Sequence, residues 1–140
     1  MAKTELGILI GLHRVANAID RQTARIAAEH DLTLGQFAVL EALYHKGDLT
    51  VGQVQEAILS SSGTIPVIVG NLEKRGYLIR RADEADHRRC ILHITDEGRR
   101  LVAAVFPENE KMIDEAMSCW TDDEKRQLFG LLRRFDRSVS

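Results

Sequence analysis

The sequence predicts a mainly α-helical domain carrying one small β-hairpin, and three observations point to it. Apolar residues recur three and four positions apart over most of the chain. The pattern Thr-x-x-Gln or Thr-x-x-Glu, which satisfies free amides at a helix start, occurs at Thr33, Thr50 and Thr121. Between these segments, the stretch after Gly76 alternates as paired strands do. With 140 residues, 44 % of them apolar and 29 % charged, the chain is expected to form a single domain able to bury its own core. The N-terminal segment MAKTELGILIGLHR has too short an apolar run for a membrane span and no small-residue cleavage pattern. Two cysteines are too few for a disulfide framework, so the expectation is a soluble cytoplasmic chain.

The elements follow in order. Leu6, Leu9, Ile10, Leu12, Val15, Ala16 and Ile19 mark a long first helix reaching about His30, with more apolar surface than one neighbour would cover. Leu32-Thr33-Leu34-Gly35-Gln36 is echoed seventeen positions later by Leu49-Thr50-Val51-Gly52-Gln53, announcing helices from Thr33 to about Tyr44 and from Thr50 to about Leu59. Lys46-Gly47-Asp48 separates them as a stop. A further helix opens in Ser60-Ser61-Ser62-Gly63, buries Ile65, Ile68, Val69 and Leu72, and ends at Gly76. Pro66 belongs in its first turn, where a missing N–H costs nothing, which points to Ser61 or Ser62 as the cap. Tyr77 to Arg81 and Cys90 to Ile94 form the hairpin around a turn at residues 82–87. Thr95-Asp96-Glu97-Gly98 caps a long helix towards Met117, with a bend expected near Pro107, and Thr121 opens a last helix through Phe135.

Charge is unevenly distributed. Residues 74–89 hold six Lys or Arg against three acids, a local net of +3, whereas residues 101–124 hold one base against seven acids. The whole-chain balance of −2 names no partner, but such polarity gives a cationic face able to meet phosphates. Two short helices joined by a tight turn match the helix-turn-helix geometry that sets a helix in the DNA major groove, and the basic hairpin behind them fits a wing.

The ordered set Leu72-Glu73-Lys74-Arg75-Gly76-Tyr77-Leu78, Asp86-His87-Arg88 and Leu92-His93-Ile94-Thr95-Asp96-Glu97-Gly98 resembles the MarR family of bacterial winged helix-turn-helix regulators. The resemblance covers nearly the whole chain and implies a single domain. In it, about 1–31 and 105–140 are dimerisation helices and about 32–100 form the DNA-binding lobe. It further implies a cytoplasmic homodimer, most commonly a repressor, on double-stranded DNA with an inverted repeat. Control would come from a small lipophilic or phenolic effector or from oxidation, without a cofactor. Arg88 matches the family's wing arginine, which enters the minor groove, and Asp86 the acid that holds it; His87 and Arg89 flank it as candidate phosphate contacts.

The remaining contacts are read from residue chemistry. On the predicted recognition helix the outward positions are Gly63, Val67, Gly70 and Lys74, flanked by Thr64 and Asn71. Ser61, Ser62 and Thr64 suit phosphate or base edges at the helix N-terminus, Asn71 suits adenine, Val67 a thymine methyl group and Lys74 a phosphate. This surface has few donors, so much of the specificity is expected from the wing and from DNA shape.

Competing readings leave residues of their own. Asp83-Glu84-Ala85-Asp86 spells a helicase motor motif but lacks the GKT or GKS phosphate loop. No catalytic or metal motif is assembled, and the five histidines do not share a helix face, so neither an enzyme nor a metal site is expected. Cys119, beside Trp120, is the candidate for a thiol switch, whereas Cys90 is expected to be a small buried hydrophobe. A helical protein-interaction module without DNA binding would fit the acidic total charge but not the concentrated basic hairpin. His13, Arg14 and His45 are candidates to line an effector crevice.

Overall fold

The computed structural model describes residues 3–58 and 64–139. Its elements are α1 (Lys3–Ala28), α2 (Leu34–Lys46), β1 (Leu49–Thr50), α3 (Val51–Ile58), α4 (Ile65–Lys74), β2 (Leu78–Ala82), β3 (Cys90–Ile94), α5 (Asp96–Ala116) and α6 (Asp122–Val139), with a 3-10 turn at Met117–Cys119 before α6. All three capping boxes close reciprocally. Thr33 Oγ1 accepts from the Gln36 amide at 3.1 Å while Gln36 Oε1 accepts from the Thr33 amide at 3.0 Å, and the Thr50/Gln53 and Thr121/Glu124 pairs do the same.

The core is built where the periodicity placed it. Ile65, Ile68, Val69 and Leu72 of α4 are all buried, packed with Phe37, Leu40 and Leu43 of α2, Val54 of α3, Leu78, Leu92 and Ile94 of the sheet and Val102 and Val105 of α5. At the end of α4, Gly76 takes a φ of +80°, the left-handed conformation that lets the chain reverse into β2.

Three features differ from expectation: the strand count, the start of β2 and the burial of Cys90. The sheet has three strands, not two, in the order β1-β3-β2: Leu49 and Thr50 pair antiparallel with Leu92 and Ile91. Thr50 therefore serves both as strand and as cap. The first hairpin strand begins one residue late, because the Tyr77 amide donates to Leu72 O and its carbonyl accepts from the Thr95 amide. The described part of α4 opens at Ile65 with Thr64 as its cap residue, whose side chain makes no capping bond, and Pro66 lies in the first turn; Ser61 and Ser62 lie outside the described residues. Cys90 is only half-buried. Helix α5 runs through Pro107 as one element.

One polar pair sits inside the α1 to α5 seam. Thr23 Oγ1 donates to Asn109 Oδ1 at 2.7 Å, and the residues are only 7 % and 6 % exposed. The two ends are not equivalent. A threonine on a helix can turn its hydroxyl back to the carbonyl four residues earlier, whereas the asparagine amide oxygen has no such fallback. Thr23→Val is therefore expected to cost about 1–3 kcal/mol and Asn109→Leu distinctly less. Chemical denaturation of the two variants and their double mutant checks this; equal losses would refute the asymmetry.

Candidate nucleic-acid interface

Helix α4 presents a sparse outward face. Val67 is 63 % exposed although it is aliphatic, and Asn71 and Lys74 are exposed beside it, as is Thr64 at the helix start. Gly70, half-buried, adds no side chain to this face. This face thus sets one apolar group, Val67, beside an amide and an ammonium.

The wing supplies the charge. Asp86 Oδ1 accepts from both the Arg88 amide, at 3.1 Å, and Arg88 Nε, at 3.2 Å. The Arg88 side chain remains 91 % exposed, held at its base and free at its tip. These two donors from Arg88, backbone first, hold the Asp86 carboxyl below its ordinary range, with a small contribution from Arg89. A depressed pKa means the tie is present at and above the ordinary carboxylate range and is lost only as pH falls through the lowered value. Asp86 is thus ionised at neutral pH and able to hold Arg88. His87 is exposed at the tip. Arg89, a candidate phosphate contact, has its guanidinium 3.4 Å from Asp83 Oδ2.

Other ties in this region were not foreseen. Arg80 Nε lies 3.3 Å from Glu73 Oε1, linking β2 to α4. His93 Nδ1 lies 2.7 Å from Asp48 Oδ1, linking the last strand to the turn before β1. Each joins residues far apart in the chain or on different elements, and no local pattern announces such pairs.

Away from this surface, a cavity of about 280 Å³ lies between α2 and α3, lined by Ala38, Glu41, Ala42, His45, Lys46, Ala57 and Ile58. The His45 ring stands edge-on to Phe106 of α5 at 5.1 Å. His45 thus lines a crevice, whereas His13 and Arg14 lie exposed on α1. Burial raises the Glu41 pKa, and the charge of His45 partly offsets it. A raised folded-state pKa means the cost of keeping Glu41 ionised is fully present at neutral pH and vanishes as pH falls. Glu41→Gln is expected to raise the melting temperature by about a degree or two near neutrality, with the gain shrinking as pH falls towards the ordinary carboxylate range. A gain that did not change with pH would point to another cause.

The candidate thiol, Cys119, is exposed in the 3-10 turn with its sulfur 3.9 Å from Ala116 O. Among the described residues no group of three or more His, Cys, Asp or Glu is placed to hold a metal ion, and no helix is long and apolar enough to cross a membrane.

Comparison with known proteins agrees with this geometry. A family model described as MarR family matches residues 30–89. The HTH-type transcriptional regulator MhqR of Bacillus subtilis is 35 % identical over 134 residues, spanning 96 % of this chain and 92 % of that protein. Among solved structures, Bordetella bronchiseptica BpsR, whose DNA binding is regulated by 6-hydroxynicotinic acid, superposes with a TM-score of 0.80 at 26 % identity, covering 94 % of this chain and 98 % of that one. An Escherichia coli MarR variant complexed with operator DNA has the same fold, with a TM-score of 0.79 at 23 % identity over 94 % of this chain and 93 % of that one. With the winged helix-turn-helix architecture and these relatives together, the chain belongs to the MarR family of DNA-binding transcriptional regulators.

Proposed function

We propose that the chain is a cytoplasmic homodimeric repressor that occupies a palindromic operator and releases it when a small molecule binds. The observation that carries this reading is the wing: a guanidinium that is 91 % exposed, fixed at its base by Asp86, on the same lobe as the uncovered Val67, Asn71 and Lys74 face of α4. In this assignment Arg88 enters the minor groove, Asp86 orients it, His87 and Arg89 meet phosphates, and Thr64, Val67, Asn71 and Lys74 line the major groove together with Ser61 and Ser62.

Residues 1–31 and 105–140 serve as the dimerisation helices and residues 32–100 as the DNA-binding lobe. Two apolar surfaces support a homodimer. Helix α1 exposes Leu6, Ile8, Leu9, Ile10, Leu12 and Val15, and α6 exposes Phe129, Leu131, Leu132 and Phe135, the last at 65 %. Such patches mark contact surfaces, and two copies related by a twofold axis match an inverted repeat. The cavity beside Glu41 and His45, with Phe106 of α5 against the His45 ring, supports an effector site, as does the regulation of BpsR by a small hydroxy-aromatic acid. Selecting bound fragments from random DNA tests the proposal, together with sedimentation of the free protein. An enriched inverted repeat and a dimeric mass are expected; a monomer, or no preference over scrambled competitor, would end it.

A further inference from the structure

Arg75 lies at the end of the recognition helix in the most basic stretch of the chain, where a phosphate contact would be the simple expectation. Its guanidinium is engaged elsewhere. Nη1 donates to the backbone carbonyl of Asp31 at 2.7 Å, across 44 positions of sequence, and the same group lies over the Tyr77 ring at 5.1 Å. Asp31 is no ordinary acceptor. It is the elbow between α1 and α2 and the one non-glycine residue with positive φ, +58°, among the described residues. The amides of Asp31 and Leu32 close the end of α1 on the carbonyls of Ala28 and Ala27, and the left-handed turn leaves the Asp31 carbonyl directed towards Arg75.

The same corner is held from a third side. Thr95 Oγ1, at the cap of α5, donates to Gly76 O at 2.7 Å, and the Thr95 amide donates to Tyr77 O at 3.1 Å. Residues 75–77 therefore join the recognition helix to the ends of both long helices that leave the lobe: α1 through Arg75 and α5 through Thr95. The α5 tie is built into the backbone and cap. The α1 tie is made by the Arg75 side chain.

We infer that Arg75 is a positioning residue that fixes the direction of α4 relative to α1, and hence the separation at which two recognition helices meet DNA, rather than a DNA contact. The inference rests on the homodimeric operator reading given above. Arg75→Met keeps the stem against Tyr77 and removes every donor, at an exposed site where folding is not at risk. The readouts are the affinity ratio for the selected operator against one with its spacer lengthened by one base pair, and the slope of affinity with salt. Wild type is expected to discriminate between the spacers at least about tenfold; in Arg75→Met the ratio falls to about threefold or less, while the salt slope moves by less than about half a power. A slope lowered by about one power with spacer discrimination intact would make Arg75 a phosphate contact and overturn the inference. Unchanged ratio and slope would overturn it too. Wild-type protein with no salt-dependent binding to an inverted repeat would instead bring down the operator reading, and the inference with it.

Discussion

Arg88→Ala is expected to weaken operator binding at least about tenfold while leaving the fold and the oligomeric state intact. Two magnitudes decide this. The Arg88 to Asp86 pair is exposed on the arginine side, 91 %, so its loss removes little stability, since water screens an exposed ion pair. In a narrow minor groove the same guanidinium meets concentrated negative potential, out of bulk water, where a good contact is worth about 1–3 kcal/mol. The variant should therefore melt as wild type does and bind poorly, with the larger loss on operators whose flanks are A·T-rich. Fluorescence anisotropy on a labelled operator at two salt concentrations, beside a thermal melt, measures both effects. Full affinity in Arg88→Ala would remove the wing from DNA recognition.

The largest effect on stability is expected from Gly98→Ala. In an exposed helix, glycine to alanine ordinarily stabilises by up to about 1 kcal/mol. Here the sign reverses. A Cβ at position 98 would collide with the Tyr77 carbonyl oxygen and lie 2.8 Å from Ile94 Cγ1. The first of these is backbone, already held by the Thr95 amide, so relief requires lifting the first turn of α5 off the sheet or breaking that bond. Overpacking of this kind costs about 1–3 kcal/mol, and more where backbone must move, so about 3 kcal/mol and a melting temperature lower by about 10 °C are expected. Thermal denaturation followed by circular dichroism checks it; a shift under about 2 °C would show that α5 adjusts freely at this contact.

What the sequence disclosed and what it hid divide along the distance over which each interaction acts. The three capping boxes, the buried stripe of α4 and the turn at Gly76 are set by residues within about one or two helical turns of one another, and each appears where local pattern placed it. The Asp86 to Arg88 contact, two residues apart, is equally local, although it is the family resemblance rather than residue pattern that points to it. Strand β1 escaped notice because Leu49 and Thr50 are paired by Leu92 and Ile91, more than forty positions away, and because Thr50 already had a complete local explanation as a cap. Arg75 was hidden for the same reason: its charge fits the basic stretch, and only the folded elbow shows the carbonyl it serves. The displaced start of β2 is a third instance, since the Thr95 amide, eighteen residues on, occupies the Tyr77 carbonyl.

Strand β2 is hydrogen-bonded to β3 alone and leaves its other side unpaired by any strand among the described residues. A ribbon border of free amides and carbonyls is a template on which a foreign segment can zip up, the first step towards amyloid-like stacking. Two consecutive arginines stand on that border, Arg80, which is paired with Glu73, and Arg81. Like charges brought together by any second copy docking in register would repel it. The basic charge on this border thus acts as a gatekeeper against such pairing, besides adding to the cationic stretch of residues 74–89.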